Sequence, residues 1–157
     1  MIVLVILSAV LLFGFWAYCI FRYGFKDCLS RYSATTSPVW SYVLVLSAAL
    51  LMPVMLEITE GEPLQFVAFL APVSLFVVGL TPKWATNDIQ YIIHNAGVIM
   101  AVIFSVSFSI IENLVWYILG GAVLAAVCGL IDRKRWLHYA EFAIYIAMFV
   151  EIFTKIC

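Results

Sequence analysis

The chain has 157 residues, of which 66% are hydrophobic and only 11% are charged, and its formal net charge is −1. A soluble domain carries about 25% charged residues and, at this size, buries only about 70% of the surface of its unfolded chain, so the composition excludes a soluble globular protein and a disordered chain. A net charge of −1 provides no positive potential to attract a phosphate backbone, which excludes a nucleic-acid partner. The sequence therefore predicts an integral membrane protein, with the lipid bilayer as its partner.

Six segments of the chain approach the length of a membrane-spanning helix, which needs about 20 mostly apolar residues. They are apolar on all sides and do not alternate in polarity, so helices are expected and barrel strands are not. The segments cover residues 2–21, 38–56, 63–81, 91–111, 114–131 and 136–153. The predicted fold is all-α: a polytopic transmembrane bundle of six spanning helices, forming one membrane domain over residues 1–157. Because the first basic residue is Arg22, the first segment is expected to be a retained helix and not a signal peptide.

The charged residues of the loops divide into two groups, and this division predicts an orientation. Six spans place the first, third and fifth loops on one face, and these loops carry Arg22, Lys26, Arg31, Lys83, Arg133, Lys134 and Arg135. The charged residues of the second and fourth loops are all acidic, namely Glu57, Glu60, Glu62 and Glu112. Short basic loops stay in the cytoplasm. We expect a protein of the cell (inner or plasma) membrane with both termini outside, and Lys155 is the one exception to the pattern.

Tryptophans prefer the headgroup level of a bilayer, and most of those in this chain fit the predicted orientation. Trp40, Trp84 and Trp136 flank the basic loops, and Trp116 marks the opposite face. Trp16 lies about a turn and a half inside Arg22 and fits less well.

Two predicted helices carry small residues at every fourth position, which places those residues on one helical face. The stripes consist of Gly97, Ala101, Ser105 and Ser109 in the fourth segment, and Gly121, Ala125 and Gly129 in the fifth. Small residues allow membrane helices to approach closely. We expect these two helices to cross each other within one subunit, with a dimer interface through one stripe as the alternative. A homo-oligomer or a partner in a membrane complex is left open.

A candidate polar cluster lies near the predicted cytoplasmic face. His138 and Glu141 are three residues apart on the sixth segment, and His94 and Asn95 begin the fourth segment at the same level. A carboxylate within a membrane is costly and usually marks a functional path. The alternative is that Glu141 pairs with His138 or extends to the interface. Glu151, four residues before Lys155, is expected to form a surface pair.

Motifs for metal or nucleophilic chemistry are missing from the sequence. Cys19, Cys28, Cys128 and Cys157 form no C-x-x-C pair, so free thiols are expected, with no metal site and no cofactor. No catalytic residue is assigned, since only a pairing of Ser33 with His94 would bring a nucleophile beside a base. Ser37, directly before Pro38, is expected to cap the second helix.

Three runs of sequence carry a resemblance: residues 29–36 (LSRYSATT), residues 51–57 (LMPVMLE) and residues 69–79 (FLAPVSLFVVG), followed by His94. Together they resemble a group of small bacterial membrane proteins, and the layout is more loosely similar to the Frag1/DRAM-like six-helix group. The resemblance implies a six-helix membrane bundle and no particular activity. The chain lacks the several histidines that ceramidase-like membrane hydrolases carry.

Three functions are consistent with the sequence. The first is a small permease or an accessory subunit of a membrane complex, which fits six spans with minimal loops. The second is a structural or regulatory bundle. The third is an enzyme acting on lipid through a cluster of histidine and glutamate side chains.

Overall fold

A computed structural model of the chain describes residues 1–29, 31–32, 36, 39–63, 65–81 and 88–157. All regular structure in these ranges is helical, so the predicted all-α class is confirmed. The helices are α1 (Ile2–Tyr23), α2 (Val39–Ile58), α3 (Gln65–Leu80), α4 (Asp88–Ile111), α5 (Val115–Ile131) and α6 (Trp136–Ile156), with a 3-10 turn, Arg133–Arg135, before α6. No helix end differs from the predicted segment by more than three residues (88 against 91, 156 against 153). The predicted cap at Ser37 and Pro38, and the side chains of Ser33, Lys83 and Trp84, lie outside the described residues.

Four of the six helices, namely α1, α2, α4 and α6, are long and apolar enough to cross a membrane. The other two are apolar but shorter, with 16 residues in α3 and 17 in α5. At about 1.5 Å per residue they extend roughly 24 to 26 Å, against a hydrocarbon core of about 30 Å. Length and composition therefore support four crossings directly.

The helices pack mainly against their neighbours in the chain, with one exception. α2 packs on α1 and α3, α3 packs on α4, and α5 packs on α6. α6 returns to lie against α1 and α2, whereas α4 and α5 have few contacts although a short turn joins them. The apolar core between α1, α2 and α6 includes Val5, Leu51, Val54 and Ile152, all almost fully buried.

Hydrogen bonds and close backbone approach join α2 to its neighbours. Ser8 on α1 lies 2.7 Å from Ser47 on α2, hydroxyl to hydroxyl, and both side chains are buried. On the other side, a Cβ atom added at Gly79 of α3 would lie 2.8 Å from Val45 Cγ2 and 3.3 Å from the carbonyl oxygen of Ser41. Polar side chains and small residues of this kind associate membrane helices, because lipid supplies no hydrophobic force between them.

The two small-residue stripes do not face each other, which contradicts the expected crossing of α4 and α5. On α4, Gly97 packs against α3, where an added Cβ would lie 2.9 Å from Val78 Cγ2. On α5, Gly121 packs against α6, where an added Cβ would lie 3.1 Å from the carbonyl oxygen of Ala143. Each stripe therefore allows close packing with a different helix.

A tight turn joins α4 and α5 but does not hold the two helices together along their length. Asn113 has a φ of 58°, in the left-handed region that asparagine tolerates, and the amide of Leu114 donates to the carbonyl of Ser109 at 2.7 Å. This tight turn fixes only the ends of the two helices. Beyond it they diverge, and a groove of about 580 Å³ opens between α4 on one side and α5 and α6 on the other.

Candidate functional site

A cavity of about 210 Å³ lies between α3, α4 and α6, and it brings two of the predicted site residues together. Both His94 on α4 and Glu141 on α6 contribute to its wall. Most of the remaining lining is apolar, from Leu29, Leu44, Leu75, Val78, Val98, Ala101, Val102, Leu137, Ala140, Ile144 and Met148, with Trp40, Tyr145 and Ser105 adding aromatic and hydroxyl groups. The cavity is therefore an apolar space with an imidazole and a carboxylate in its wall.

His94 is held at the start of α4 by the end of α3. Its Nδ1 lies 2.6 Å from the carbonyl oxygen of Thr81, and the residue is buried. A carbonyl oxygen can only accept a hydrogen bond, so the proton resides on Nδ1. In the neutral ring Nε2 then carries the lone pair.

Glu141 is oriented by the loop that follows α1. The amide of Leu29 donates to Glu141 Oε2 at 2.6 Å. Leu29 itself is buried and also lines the cavity. Glu141 therefore fastens the first loop to α6 and presents a half-buried carboxyl group to the cavity.

His138 lies apart from this cavity, in a buried aromatic cluster. Trp16 Nε1 donates to His138 Nε2 at 3.1 Å, and the rings of Phe25 and Tyr32 lie 5.4 and 6.1 Å from the imidazole, centroid to centroid. This bond fits the burial of Trp16, which is 1% exposed and lies within the bundle. His138 has partners other than Glu141, so the predicted set of four residues is not one cluster.

The first loop covers the start of α6 through several further contacts. The backbone amide of His138 donates to the carbonyl of Asp27 at 3.1 Å, and the Arg135 guanidinium lies 5.5 Å from the Phe25 ring centroid. Tyr32 donates its hydroxyl to the carbonyl of Gly24 at 2.8 Å. Burial raises the pKa of the Tyr32 phenol, so the donor stays protonated.

Asn95, the fourth residue of the predicted cluster, is half-buried on α4 and is not part of the cavity wall. Successive helical residues project about 100° apart, and at this position His94 faces the cavity and Asn95 does not. The chemistry of the cavity therefore rests on His94 and Glu141.

Glu151 is a buried carboxyl group near the far end of α6, and the expectation of a surface pair with Lys155 is wrong. Its relative exposure is 1%, and its Oε2 lies 2.7 Å from Ser109 Oγ. Its other oxygen, Oε1, has no hydrogen-bond partner among the described residues. Lys155 instead forms an ion pair with Glu112 in the α4–α5 turn.

The sequence contained a signal for the burial of Glu151. The residue lies two positions inside the predicted end of the sixth segment, between Val150 and Ile152, where carboxylates are rare and usually face the bundle interior. The spacing to Lys155 indicates a surface pair, because residues four apart on a helix can interact without any tertiary contact. In the structure Ser109, the last residue of the α4 stripe, is the hydrogen-bond partner of the buried Glu151.

The cavity residues suit reversible proton binding and recognition of a polar group. Among the residues that the structure describes, no group of three or more histidine, cysteine, aspartate or glutamate side chains is arranged to hold a metal ion. The imidazole of His94 and the carboxyl group of Glu141 share the cavity wall with the Trp40 ring and the Tyr145 phenol. Such a wall can bind an organic molecule that combines apolar surface with positive charge.

Comparisons with protein families, curated proteins and solved structures find no match to this chain. The resemblance to small bacterial membrane proteins therefore stays a prediction, and the functional argument rests on the geometry above.

Proposed function

We propose that the chain is a multi-pass protein of the cell membrane that crosses six times, with both termini outside and its basic loops in the cytoplasm. Contacts at the two ends of the bundle support this orientation. The first and fifth loops meet through Phe25 and Arg135. At the other end, Glu112 neutralises Lys155, the single basic residue that the positive-inside pattern leaves on the outer face. α3 and α5 reach across through local thinning of the bilayer.

A native cysteine provides a direct test of this orientation. Cys157 is exposed at the end of the chain, whereas Cys19 and Cys28 are buried. A membrane-impermeant maleimide should label Cys157 in intact spheroplasts, and Cys157→Ser should remove the signal. In the Cys157→Ser background, Arg31→Cys and Arg133→Cys should each be labelled only after permeabilisation. Labelling of these two positions from opposite sides would overturn the six-span orientation.

We infer, as the activity of this protein, that it is a small permease for organic cations with apolar substituents. The observation that carries this proposal is the shared cavity of His94 and Glu141 between α3, α4 and α6. The apolar wall accommodates hydrocarbon, the Glu141 carboxylate offsets a positive charge, and the rings of Trp40 and Tyr145 attract an alkylammonium group. His94 provides a second proton-binding group at the same wall.

The test is uptake of radiolabelled tetraethylammonium into proteoliposomes under an imposed pH gradient. Wild-type protein should give flux above that of empty liposomes, and Glu141→Gln should reduce this flux at least about tenfold while keeping the folded size in detergent. Glu60→Gln, which removes an exposed carboxylate from the second loop, should leave the flux unchanged. Wild-type flux no greater than that of empty liposomes would overturn the permease proposal.

A structural or regulatory bundle is the second candidate, and the bond between Leu29 and Glu141 favours it. In that case Glu141 serves only to fasten the first loop. Glu141→Gln would then lower the unfolding temperature, and wild-type and variant proteoliposomes would show equal tetraethylammonium uptake. The two candidates thus predict opposite results for flux.

A further inference from the structure

The groove between α4, α5 and α6 adjoins the His94–Glu141 cavity, but neither His94 nor Glu141 belongs to its lining. The two spaces share Val102, Ser105, Ala140 and Ile144. Val102 and Val106 of α4 form one wall, and Ala122 and Ala126 of α5 form the other, with Ile144 of α6 at its base. Ser105 supplies the hydroxyl group in this lining. The groove is about 580 Å³ in volume and is open along one side. Its shape and chemistry suit a hydrocarbon chain.

The α5 side of the groove is left uncovered by the rest of the protein. None of the residues of α5 is fully buried, because this helix packs mainly on α6 and has few contacts with α4. Protein interiors and interfaces are packed without large voids, so an open apolar groove between these helices is expected to be filled by apolar groups from its surroundings. In a bilayer those surroundings are acyl chains.

One end of the groove carries uncompensated positive charge. Leu130 and Trp136 line this end, and the turn between them contains Arg133 and Lys134. Both cations are exposed and neither forms an ion pair within the described part of the chain. Arg135, by contrast, lies 3.1 Å from a carboxylate oxygen of Asp132. An anionic group at this end would therefore find two free cations.

We propose that the groove binds an anionic phospholipid, with an acyl chain along α5 and the phosphate headgroup at Arg133 and Lys134. Basic residues at the end of an apolar crevice between membrane helices are suited to such headgroups. A second, parallel copy of the chain is a poorer occupant, because it would bring the same two cations to the same level. The proposal rests on the membrane crossing inferred above, but not on the permease activity.

The experiment is native mass spectrometry of the delipidated full-length protein in detergent, titrated with phosphatidylglycerol or phosphatidylcholine of identical acyl chains. The wild-type protein should retain phosphatidylglycerol in preference to phosphatidylcholine. The double variant Arg133→Gln/Lys134→Gln should bind phosphatidylglycerol about 25-fold more weakly, roughly fivefold for each cation. The double variant Arg22→Gln/Lys26→Gln removes the same charge from the first loop and should bind as the wild type does.

A second pair of variants tests whether the acyl chain occupies the groove. Ala126→Phe fills the groove and should weaken binding of both lipids, whereas Val123→Phe adds the same ring on a residue outside the groove lining and should not. Circular dichroism and elution volume verify that each variant is folded. Equal losses in the two charge variants, equal binding of the two lipids, unchanged binding by Ala126→Phe, or a wild-type dimer that Ala126→Phe dissociates would each overturn the proposal. Failure of the cysteine-labelling test alone would instead overturn the orientation.

Discussion

Ser109 and Glu151 meet across the interface of α4 and α6, with 2.7 Å between Oγ and Oε2. The same serine hydroxyl lies 2.8 Å from the carbonyl oxygen of Ser105. A hydroxyl group has one proton, and a carbonyl oxygen can only accept. Both contacts are full hydrogen bonds when Glu151 is protonated and donates to Ser109. A neutral carboxylic acid is also the form that burial favours, since an unpaired buried charge is far more costly.

The first prediction concerns this proton on Glu151. The infrared spectrum of the protein should contain the carbonyl band of a protonated carboxylic acid, and Glu151→Gln should remove it. Glu60→Gln, at an exposed carboxylate, should leave the band in place. Glu151→Gln should unfold close to the wild type, because an amide can replace the carboxyl group in its bond to Ser109. Glu151→Ala should lose about 1–3 kcal/mol, since it leaves a cavity and removes the bond between Glu151 and Ser109. A spectrum without this band at neutral pH would contradict the protonated form.

The second prediction concerns the close approach of α2 and α3. Gly79→Ala should lower the free energy of unfolding by about 1–3 kcal/mol, because the new Cβ would lie 2.8 Å from Val45 Cγ2 and 3.1 Å from the Val45 backbone nitrogen. Gly14→Ala is the matched control, since nothing lies within 4 Å of a Cβ there. Unfolding in mixed micelles of dodecyl sulfate and a mild detergent measures both changes. Equal stability of the two variants would show that the helices separate without cost.

The third prediction concerns the bond between Trp16 and His138. Trp16→Phe keeps an aromatic ring but leaves His138 Nε2 without its donor, so we expect a loss of about 1 kcal/mol or more. Trp116→Phe is the control, because Trp116 is 75% exposed and packs against little. Thermal unfolding followed by near-ultraviolet circular dichroism compares the two. A Trp16→Phe protein as stable as the control would mean that ring packing alone holds His138.

The fourth prediction concerns the ion pair of Glu112 and Lys155, which connects the α4–α5 turn to the end of α6. Glu112→Lys brings two cations together at a side chain that is only 5% exposed, so it should destabilise the protein by more than the roughly 1 kcal/mol of an exposed pair. The double exchange Glu112→Lys/Lys155→Glu restores opposite charges and should recover most of the loss. Chemical unfolding at low and high salt measures the coupling, which should weaken as salt screens it. No recovery in the double variant would mean that the two charges do not interact.

The sequence was sufficient for the helical class and for the helix bounds, because both follow from local properties. A run of about 20 apolar residues can satisfy its backbone in lipid only as a helix, and this holds whatever the helix packs against. Prolines, glycines and charged turns then mark the ends. For this reason the bounds of α1 and α5 lie within two residues of the predicted segments.

The partner of each side chain depends on how far the helices diverge, which no local pattern encodes. The two small-residue stripes are identifiable from the sequence as packing faces. A two-residue turn fixes only the ends of α4 and α5, however, and Gly97 packs on α3 whereas Gly121 packs on α6. His138 and Glu141 are three residues apart, yet Trp16 and Leu29 separate them into a buried cluster and a cavity. The spacing along the chain predicts that Glu151 pairs with Lys155. In the folded protein Glu151 instead contacts Ser109 of α4. Burial and hydrogen-bond partners arise from contacts distant in the chain, and these appear only when the helices have packed.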